Sequence, residues 1–248
     1  MSDLSDEIDT NAEAFRKKWL VDVTENAANL AGNLKFLESY RRVTALQALR
    51  TSLIQPLYSN DVNAFFVEAQ NDALTSHVLA SFGAWRSSLN ALRSCIEDIF
   101  GALYFKDHPV ELELWKLGKF RLGFSSTVKY FEDHPSLLGI DGALTRLAVV
   151  KEEYATLSKA VHGSAKSFRM TENIAGILLW STEVSKLGAW DTRHKKVLES
   201  LSLLTICMHS ERLKGAAHAQ LRAVLGFAIG NSRRIQLRDQ LHIHIDAP

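Results

Sequence analysis

The residues best placed for chemistry lie between positions 151 and 164, where a histidine ends a predicted helix. Ser158 and His162 lie four residues apart, so they share one stripe of that helix, beside an apolar face that includes Tyr154. The negative end of a helix dipole holds a proton on a histidine more tightly, and Gly163 lets the backbone turn away from the ring. His162 is therefore a candidate acid or base. The alternative is that it only satisfies the last carbonyl groups of the helix.

A second polar stripe lies on the preceding long helix, which is predicted from Ala84 to Phe105. The stripe consists of Arg86, Asn90, Arg93 and Glu97. It borders an apolar seam of strict four-three spacing, from Trp85 to Leu103, which could pack along another helix or across a dimer axis. Arg93 and Glu97 can pair at i,i+4, and arginines present planar donors that suit a phosphate. The same stripe could instead be solvated surface, where such pairs contribute little.

Composition and charge limit the classes of function. The chain has 248 residues, 46% of them hydrophobic, and a formal net charge of +1. It can bury a core of its own, and the balanced charge excludes a partner that is held by gross electrostatics alone. Cys95 and Cys207 fall inside apolar helical patterns, where a free thiol packs as a small hydrophobe in a reducing compartment. The acidic first residues are the reverse of a secretory signal, and no apolar run approaches a membrane span, so we expect a cytoplasmic protein.

Helical periodicity without strand alternation predicts an all-α helical bundle. Only four prolines interrupt the chain, and we find no internal repeat, low-complexity tract or interdomain linker. We therefore expect a single domain that covers residues 1–248. Within it we predict N-terminal helices over residues 14–77, a core over approximately 81–170, C-terminal helices over 190–229, and a tail over 230–248.

The stretch from Ser81 to Met170 resembles the HEPN superfamily, whose helical bundles are common in toxin, abortive-infection and RNA-cleaving defence proteins. The resemblance rests on an Arg-x-x-x-Glu pattern in a long helix, here Arg93 to Glu97, and on a later helix that ends in a histidine followed by a small residue, here His162. It implies a HEPN-like core with extra helices at both ends.

The arginine motif of active family members is incomplete in this chain. Those members have an arginine four to six residues before the final histidine, and the pairs from two subunits line one cleft. No arginine precedes His162 at that spacing, and the nearest basic residue is Lys159. Arg212 and His218 have the spacing, but they lack the polar residue that usually follows the arginine.

The resemblance implies a homodimer that cleaves RNA, without a metal or another cofactor, in an antiviral defence or toxin system. His162 would act as general base or acid when an RNA 2′-hydroxyl attacks its own phosphate. The implied catalytic set is His162, Ser158, Lys159, Arg93 and Glu97. Contacts to RNA or phosphate would come from Arg86, Tyr154, Lys166 and Arg169. Tyr154 could stack on a base or bond to the carboxylate of Glu97. The alternative is a non-catalytic scaffold that binds or regulates a partner protein, with the seam from Trp85 to Leu103 as its association surface.

The C-terminal end offers two further candidates. Three potential ligands, His242, His244 and Asp246, would share one face of an extended segment and could hold a divalent metal, although a frayed chain end has the same pattern. A basic cluster, Arg233, Arg234 and Arg238, could touch phosphate, a partner protein or only water. The sequence has no glycine-rich phosphate loop, paired-cysteine zinc motif or Gly-x-Ser-x-Gly turn.

Overall fold

The structure is a computed structural model that describes residues 2–162, 180–214 and 218–247, with the side chains of residues 2, 3 and 162 not included. Within these ranges the chain forms helices, turns and loops and no strand, which confirms the predicted all-α class. None of the described helices is both long enough and apolar enough to cross a membrane.

The described α-helices account for most of the chain. In chain order they are α1 (Ser2–Leu30), α2 (Leu34–Leu49), α3 (Asn60–Ser81), α4 (Trp85–Phe105), α5 (Pro109–Lys116), α6 (Phe124–Glu132), α7 (Gly142–Thr145), α8 (Leu147–His162), α9 (Val184–Met208), α10 (Ser210–Leu213), α11 (Ala219–Leu225) and α12 (Asn231–Leu241). A π-helical turn, Arg50–Ile54, continues α2, and a 3₁₀ turn, Pro135–Leu137, follows α6.

Local sequence explains several of these boundaries. Asn33 begins α2 because its side chain accepts a hydrogen bond from the backbone N–H of Lys35, at 3.1 Å. Ser59 begins α3 in the same way through the N–H of Val62, at 3.4 Å, one residue before the predicted cap. Pro109 is the first residue of α5, where its missing N–H costs nothing.

Two predicted boundaries at the ends of the chain are wrong. The first helix begins at Ser2 rather than near residue 14, because no proline or glycine interrupts the chain before Gly32. The predicted tail contains α12, a basic helix that buries only Leu237 and therefore shows little apolar periodicity. The residues after α12 are also fixed, since Ile243 is fully buried.

The core is a single hydrophobic cluster with α4 at its centre. The seam of α4 is buried along its length, and α4 packs along α3 on one side and against α8 and α9 on others. The predicted packing along another helix therefore occurs inside the chain. The hypothesis that this seam is an association surface is wrong, because Leu92, Ile96 and Leu103 expose 0% of their area. Cys95 and Cys207 are free and buried in the same core, as predicted.

Buried ion pairs fasten α9 to its neighbours. Arg42 of α2 pairs with Asp191 and donates from Nε to Nδ1 of His194, at 3.2 Å, and all three side chains are buried. Glu153 of α8 accepts from Arg193 at 2.8 Å and from Lys196 at 3.1 Å. Because buried charges are tolerated only when they are paired, these contacts fix the register of α2 and α8 on α9.

Candidate functional site between α4 and α8

The two predicted polar stripes face each other across the contact between α4 and α8. Arg93 reaches Ser158, whereas Arg86, two turns earlier on α4, reaches the carbonyl oxygens of Ala160 and Val161, later on α8. The two helices are therefore antiparallel. Residues that are 57 or more positions apart in the chain meet in one polar network, which is half-buried at its centre.

Arg93, Glu97 and Tyr154 form a closed triangle of hydrogen bonds. Nη2 of Arg93 donates to Oε1 of Glu97 at 2.8 Å and to the hydroxyl of Tyr154 at 2.7 Å. That hydroxyl in turn donates to Oε1 of Glu97 at 2.7 Å. Burial, followed by the bond to Glu97, raises the pKa of Tyr154. The triangle holds the guanidinium of Arg93 in one orientation, with 23% of its side chain exposed.

The ring of Tyr154 already has two neighbours. Phe124, the first residue of α6, stacks on it with ring centroids 3.6 Å apart and an angle of 15° between the planes. The guanidinium carbon of Arg93 lies 4.9 Å from the centre of the ring. Of the two predicted roles, the bond from Tyr154 to Glu97 is therefore present, and a base could stack on this ring only by displacing a neighbour.

Ser158 has one remaining hydrogen-bonding capacity. Its hydroxyl donates to the carbonyl oxygen of Tyr154 at 2.8 Å and accepts from Nε of Arg93 at 3.2 Å. A serine hydroxyl has one hydrogen and two acceptor sites, so Ser158 can accept one further bond and cannot donate one.

Arg86 closes the C-terminal end of α8. Its Nε donates to the carbonyl oxygen of Ala160 at 3.1 Å, and its Nη2 donates to that of Val161 at 2.7 Å. One of the two predictions for His162 was that it satisfies the last carbonyl groups of α8. Arg86 satisfies two of those groups instead. Arg86 also brings a positive charge to the negative end of this helix dipole.

The remaining predicted site residues lie at or beyond this end of α8. His162 is the last residue of α8, and its side chain lies outside the described residues. Lys159 is on the exposed side of α8. Lys166 and Arg169 lie outside the described residues. The structure thus brings together Arg86, Arg93, Glu97, Tyr154 and Ser158 from the predicted set.

A pair of carboxyl groups that the sequence did not indicate lies beside the network. Asp98 of α4 and Asp72 of α3 lie close enough for each carboxyl group to perturb the pKa of the other. Burial, followed by their mutual charge, raises the pKa of Asp98 to about 7, and burial raises that of Asp72 to about 6. Glu68 and Glu97 contribute to both shifts. A surface cavity of about 570 Å³ opens here, lined by residues that include Ser94, Asp98 and Trp115.

Replacing Asp98 by asparagine is expected to change how stability depends on pH. A carboxyl with a raised pKa binds more protons in the folded chain than in the unfolded chain, so the free energy of unfolding falls as the pH rises from about 4 to about 7. Asp98→Asn removes this loss. Allowing for solvent screening, we expect it to be about 1 kcal/mol more stable than the wild type at pH 8 and unchanged at pH 4.

The measurement is urea denaturation of wild type and Asp98→Asn across this pH range, with the exposed Asp133→Asn as the matched control. The control should follow the wild type. An Asp98→Asn variant whose stability falls with pH as steeply as that of the wild type would contradict the raised pKa of Asp98.

The other candidates from the sequence lie elsewhere. Arg212 lines a second cavity, of about 590 Å³, together with Tyr58 and His209, and that cavity shares no lining residue with the α4–α8 network. Tyr58 donates to Nε2 of His209, whose Nδ1 donates to the carbonyl oxygen of Thr205 at 2.6 Å. Burial raises the pKa of Tyr58 to about 12 and lowers that of His209 to about 4, so both are neutral near pH 7.

The C-terminal segment does not form the predicted metal site. Within the described part of the chain, no three His, Cys, Asp or Glu side chains are grouped so that they could hold a metal ion. The alternation assumed an extended segment, but His242 has φ of 55° and ends α12 with a left-handed turn. Arg234 donates to the carbonyl oxygen of Asp246 at 2.8 Å, so part of the basic cluster holds this segment in place.

Comparison of the chain with protein-family models, curated proteins and solved structures finds no match. Any function must therefore be argued from the residues of the site itself.

Proposed function

We propose that the surface at the polar network between α4 and α8 binds RNA and cleaves it without a metal ion, with His162 as general base or acid. The observation that carries this proposal is the hydrogen-bonded network of Arg93, Glu97, Tyr154 and Ser158, which continues along α8 towards His162. A fixed arginine and a histidine are the two groups that phosphoryl transfer needs, namely a stabiliser of phosphate charge and a proton carrier.

The proposed reaction is attack of a ribose 2′-oxygen on the adjacent phosphorus. The 2′-hydroxyl loses its proton to a base, the bond between phosphorus and the 5′-oxygen breaks, and the departing 5′-oxygen takes a proton. The products are a 2′,3′-cyclic phosphate and a 5′-hydroxyl. One imidazole serves one of the two proton transfers at a time, and the neutral ring is the form that acts as base.

Each network residue has a role in this proposal. Glu97 and Tyr154 fix the guanidinium of Arg93, which would donate to a phosphate oxygen as negative charge grows on it. Ser158 would accept a ring N–H of His162 and so orient the imidazole. The positive charge of Arg86 offsets the negative end of the helix dipole at the end of α8.

The charges around the network between α4 and α8 favour one direction for the approach of RNA phosphates. The carboxyl pair of Asp72 and Asp98, with Glu68 beside it, lies at the end of the network that is marked by Glu97. Phosphates would be repelled there and attracted towards the opposite end, where Arg86 lies. Lys159, Lys166 and Arg169 are the further cations that we propose for RNA binding.

This proposal includes a HEPN-like chain that acts in the cytoplasm as a homodimer within a defence or toxin system. The second candidate is a non-catalytic scaffold that regulates a partner protein. The same network favours this candidate, because Arg93, Tyr154 and Ser158 form hydrogen bonds within the network. Residues whose role is only to hold two helices together would do the same.

The test uses the purified wild-type chain, a chelator, and two oligonucleotide pools of the same sequences, one of RNA and one of DNA. We expect cleavage of the RNA alone, with 2′,3′-cyclic phosphate ends identified by mass spectrometry, because only RNA carries the attacking hydroxyl. Intact RNA would contradict the proposal and favour the scaffold. Cleavage that requires an added divalent metal would contradict the metal-independent mechanism.

A further inference from the structure

The first two thirds of α1 project from the rest of the chain. Every residue from Leu4 to Val21 is exposed, whereas Leu30, at the end of the helix, exposes only 4% of its area and belongs to the core. The exposed part is about 27 Å long at about 1.5 Å per residue. Since isolated helices of this length are marginally stable in water, it is a segment that packing would stabilise.

One side of this segment is apolar. Its stripe consists of Leu4, Ile8, Ala12, Phe15 and Trp19. At 100° per residue these positions fall within an arc of about 80°. The side chains of Leu4, Ile8 and Phe15 expose 65%, 58% and 54% of their area. A continuous exposed stripe of this kind is typical of an interaction surface.

The charges of the segment are separated along its length. Its first half carries only acidic residues, namely Asp3, Asp6, Glu7, Asp9 and Glu13. The following turn carries only basic ones, namely Arg16, Lys17 and Lys18. Two copies packed parallel would place like charges together, whereas two antiparallel copies place the acidic half of each against the basic turn of the other. The segment is therefore complementary to itself in one orientation.

The apolar stripe fits the same antiparallel register. If two copies cross at the small residue Ala12, Ile8 of one lies within one residue, about 1.5 Å along the axis, of the level of Phe15 of the other, and Leu4 lies equally close to the level of Trp19. In that register the flanking charges also match. On one side of the stripe, Glu7 of each copy lies near Lys18 of the other. On the other side, Asp9 of each copy lies near Arg16 of the other.

We propose that two copies of this chain associate through residues 4–21 of α1, packed antiparallel about Ala12. Self-complementarity is what a two-fold interface requires, because the same patch serves both copies. A membrane surface fits less well, since the acidic first half would be repelled by anionic lipid. The proposal does not depend on RNA cleavage. It places the association surface on α1, because the α4 seam is buried inside the chain and cannot provide one.

The first test is analytical ultracentrifugation of the full chain, with the double variant Ile8→Glu and Phe15→Glu. We expect the wild type to dimerise and the variant to have a dimer Kd at least about 30-fold higher, as expected for central apolar anchors. Both side chains are exposed within one chain, so the thermal midpoint of the diluted monomer should not change. Val110→Glu, at another exposed apolar residue, is the matched control and should dimerise like the wild type.

The second test separates this register from other contacts. A variant with Glu7→Lys and Asp9→Arg has basic flanks throughout, and one with Arg16→Glu and Lys18→Glu has acidic flanks throughout. Each should be monomeric alone, and an equimolar mixture should form a heterodimer. The proposal is overturned if the wild type is monomeric at about 100 μM, if the Ile8/Phe15 variant still dimerises, or if the mixture remains monomeric.

Discussion

Replacing Arg42 by alanine is expected to lower the free energy of unfolding by about 3 kcal/mol. The guanidinium exposes 4% of its side-chain area and pairs with Asp191, which exposes 11%. Its loss leaves a buried carboxylate and deprives Nδ1 of His194 of its donor. Lys35 lies 3.5 Å from the same carboxylate and remains, which keeps the expected loss at the lower end of the range for broken buried pairs.

Arg41 provides the matched control, because it is the adjacent residue of α2 but is exposed. Its guanidinium lies 5.1 Å from the ring centre of Phe227, a contact that contributes less than about 1 kcal/mol at a surface. Urea denaturation of the two alanine variants at pH 7 makes the comparison. Equal stabilities of Arg42→Ala and Arg41→Ala would contradict the view that buried ion pairs hold α2 on α9.

The arrangement of α4 could be predicted because its apolar residues recur at regular helical spacing. Leu89, Leu92 and Ile96 belong to one seam, and the structure buries all three. The stripe of Arg93 and Glu97 follows from the same periodicity, one residue further on. Periodicity does not state which helix covers a seam, so its use as an association surface was a reasonable but wrong hypothesis.

Features that depend on contacts between distant parts of the chain could not be predicted. Asp72 and Asp98 give no local signal, and their carboxyl groups perturb each other only because α3 packs along α4. Arg42 is one of two consecutive arginines, and only the approach of α9 distinguishes it from Arg41. The helix α12 was missed because a helix that buries one residue has no apolar face to recognise.

The candidate site was partly accessible from sequence. Tyr154 and Ser158 were identified by their spacing from His162, and the bond from Tyr154 to Glu97 was one of two predicted roles. The bonds from Arg86 to the end of α8 could not be predicted, because its carbonyl partners belong to the backbone of another helix, and backbone groups carry no residue-specific signal.

Replacing His162 by alanine is expected to lower the rate of RNA cleavage by about 10²- to 10⁴-fold, the usual contribution of a general acid or base. The substitution leaves the hydrogen bonds of Arg93, Glu97 and Tyr154 in place, so the folded structure should be retained. His218→Ala is the matched control, because His218 stands at the family-like spacing from Arg212 and is the rival candidate for this role. It should cleave RNA at the wild-type rate.

The most direct test of the proposed site is therefore the single-turnover rate of RNA cleavage, in a chelator, by wild type, His162→Ala and His218→Ala with matched thermal midpoints. We predict that only His162→Ala loses the activity. Full activity in His162→Ala, or loss of activity in His218→Ala alone, would show that the polar network between α4 and α8 is not where this chain cleaves RNA.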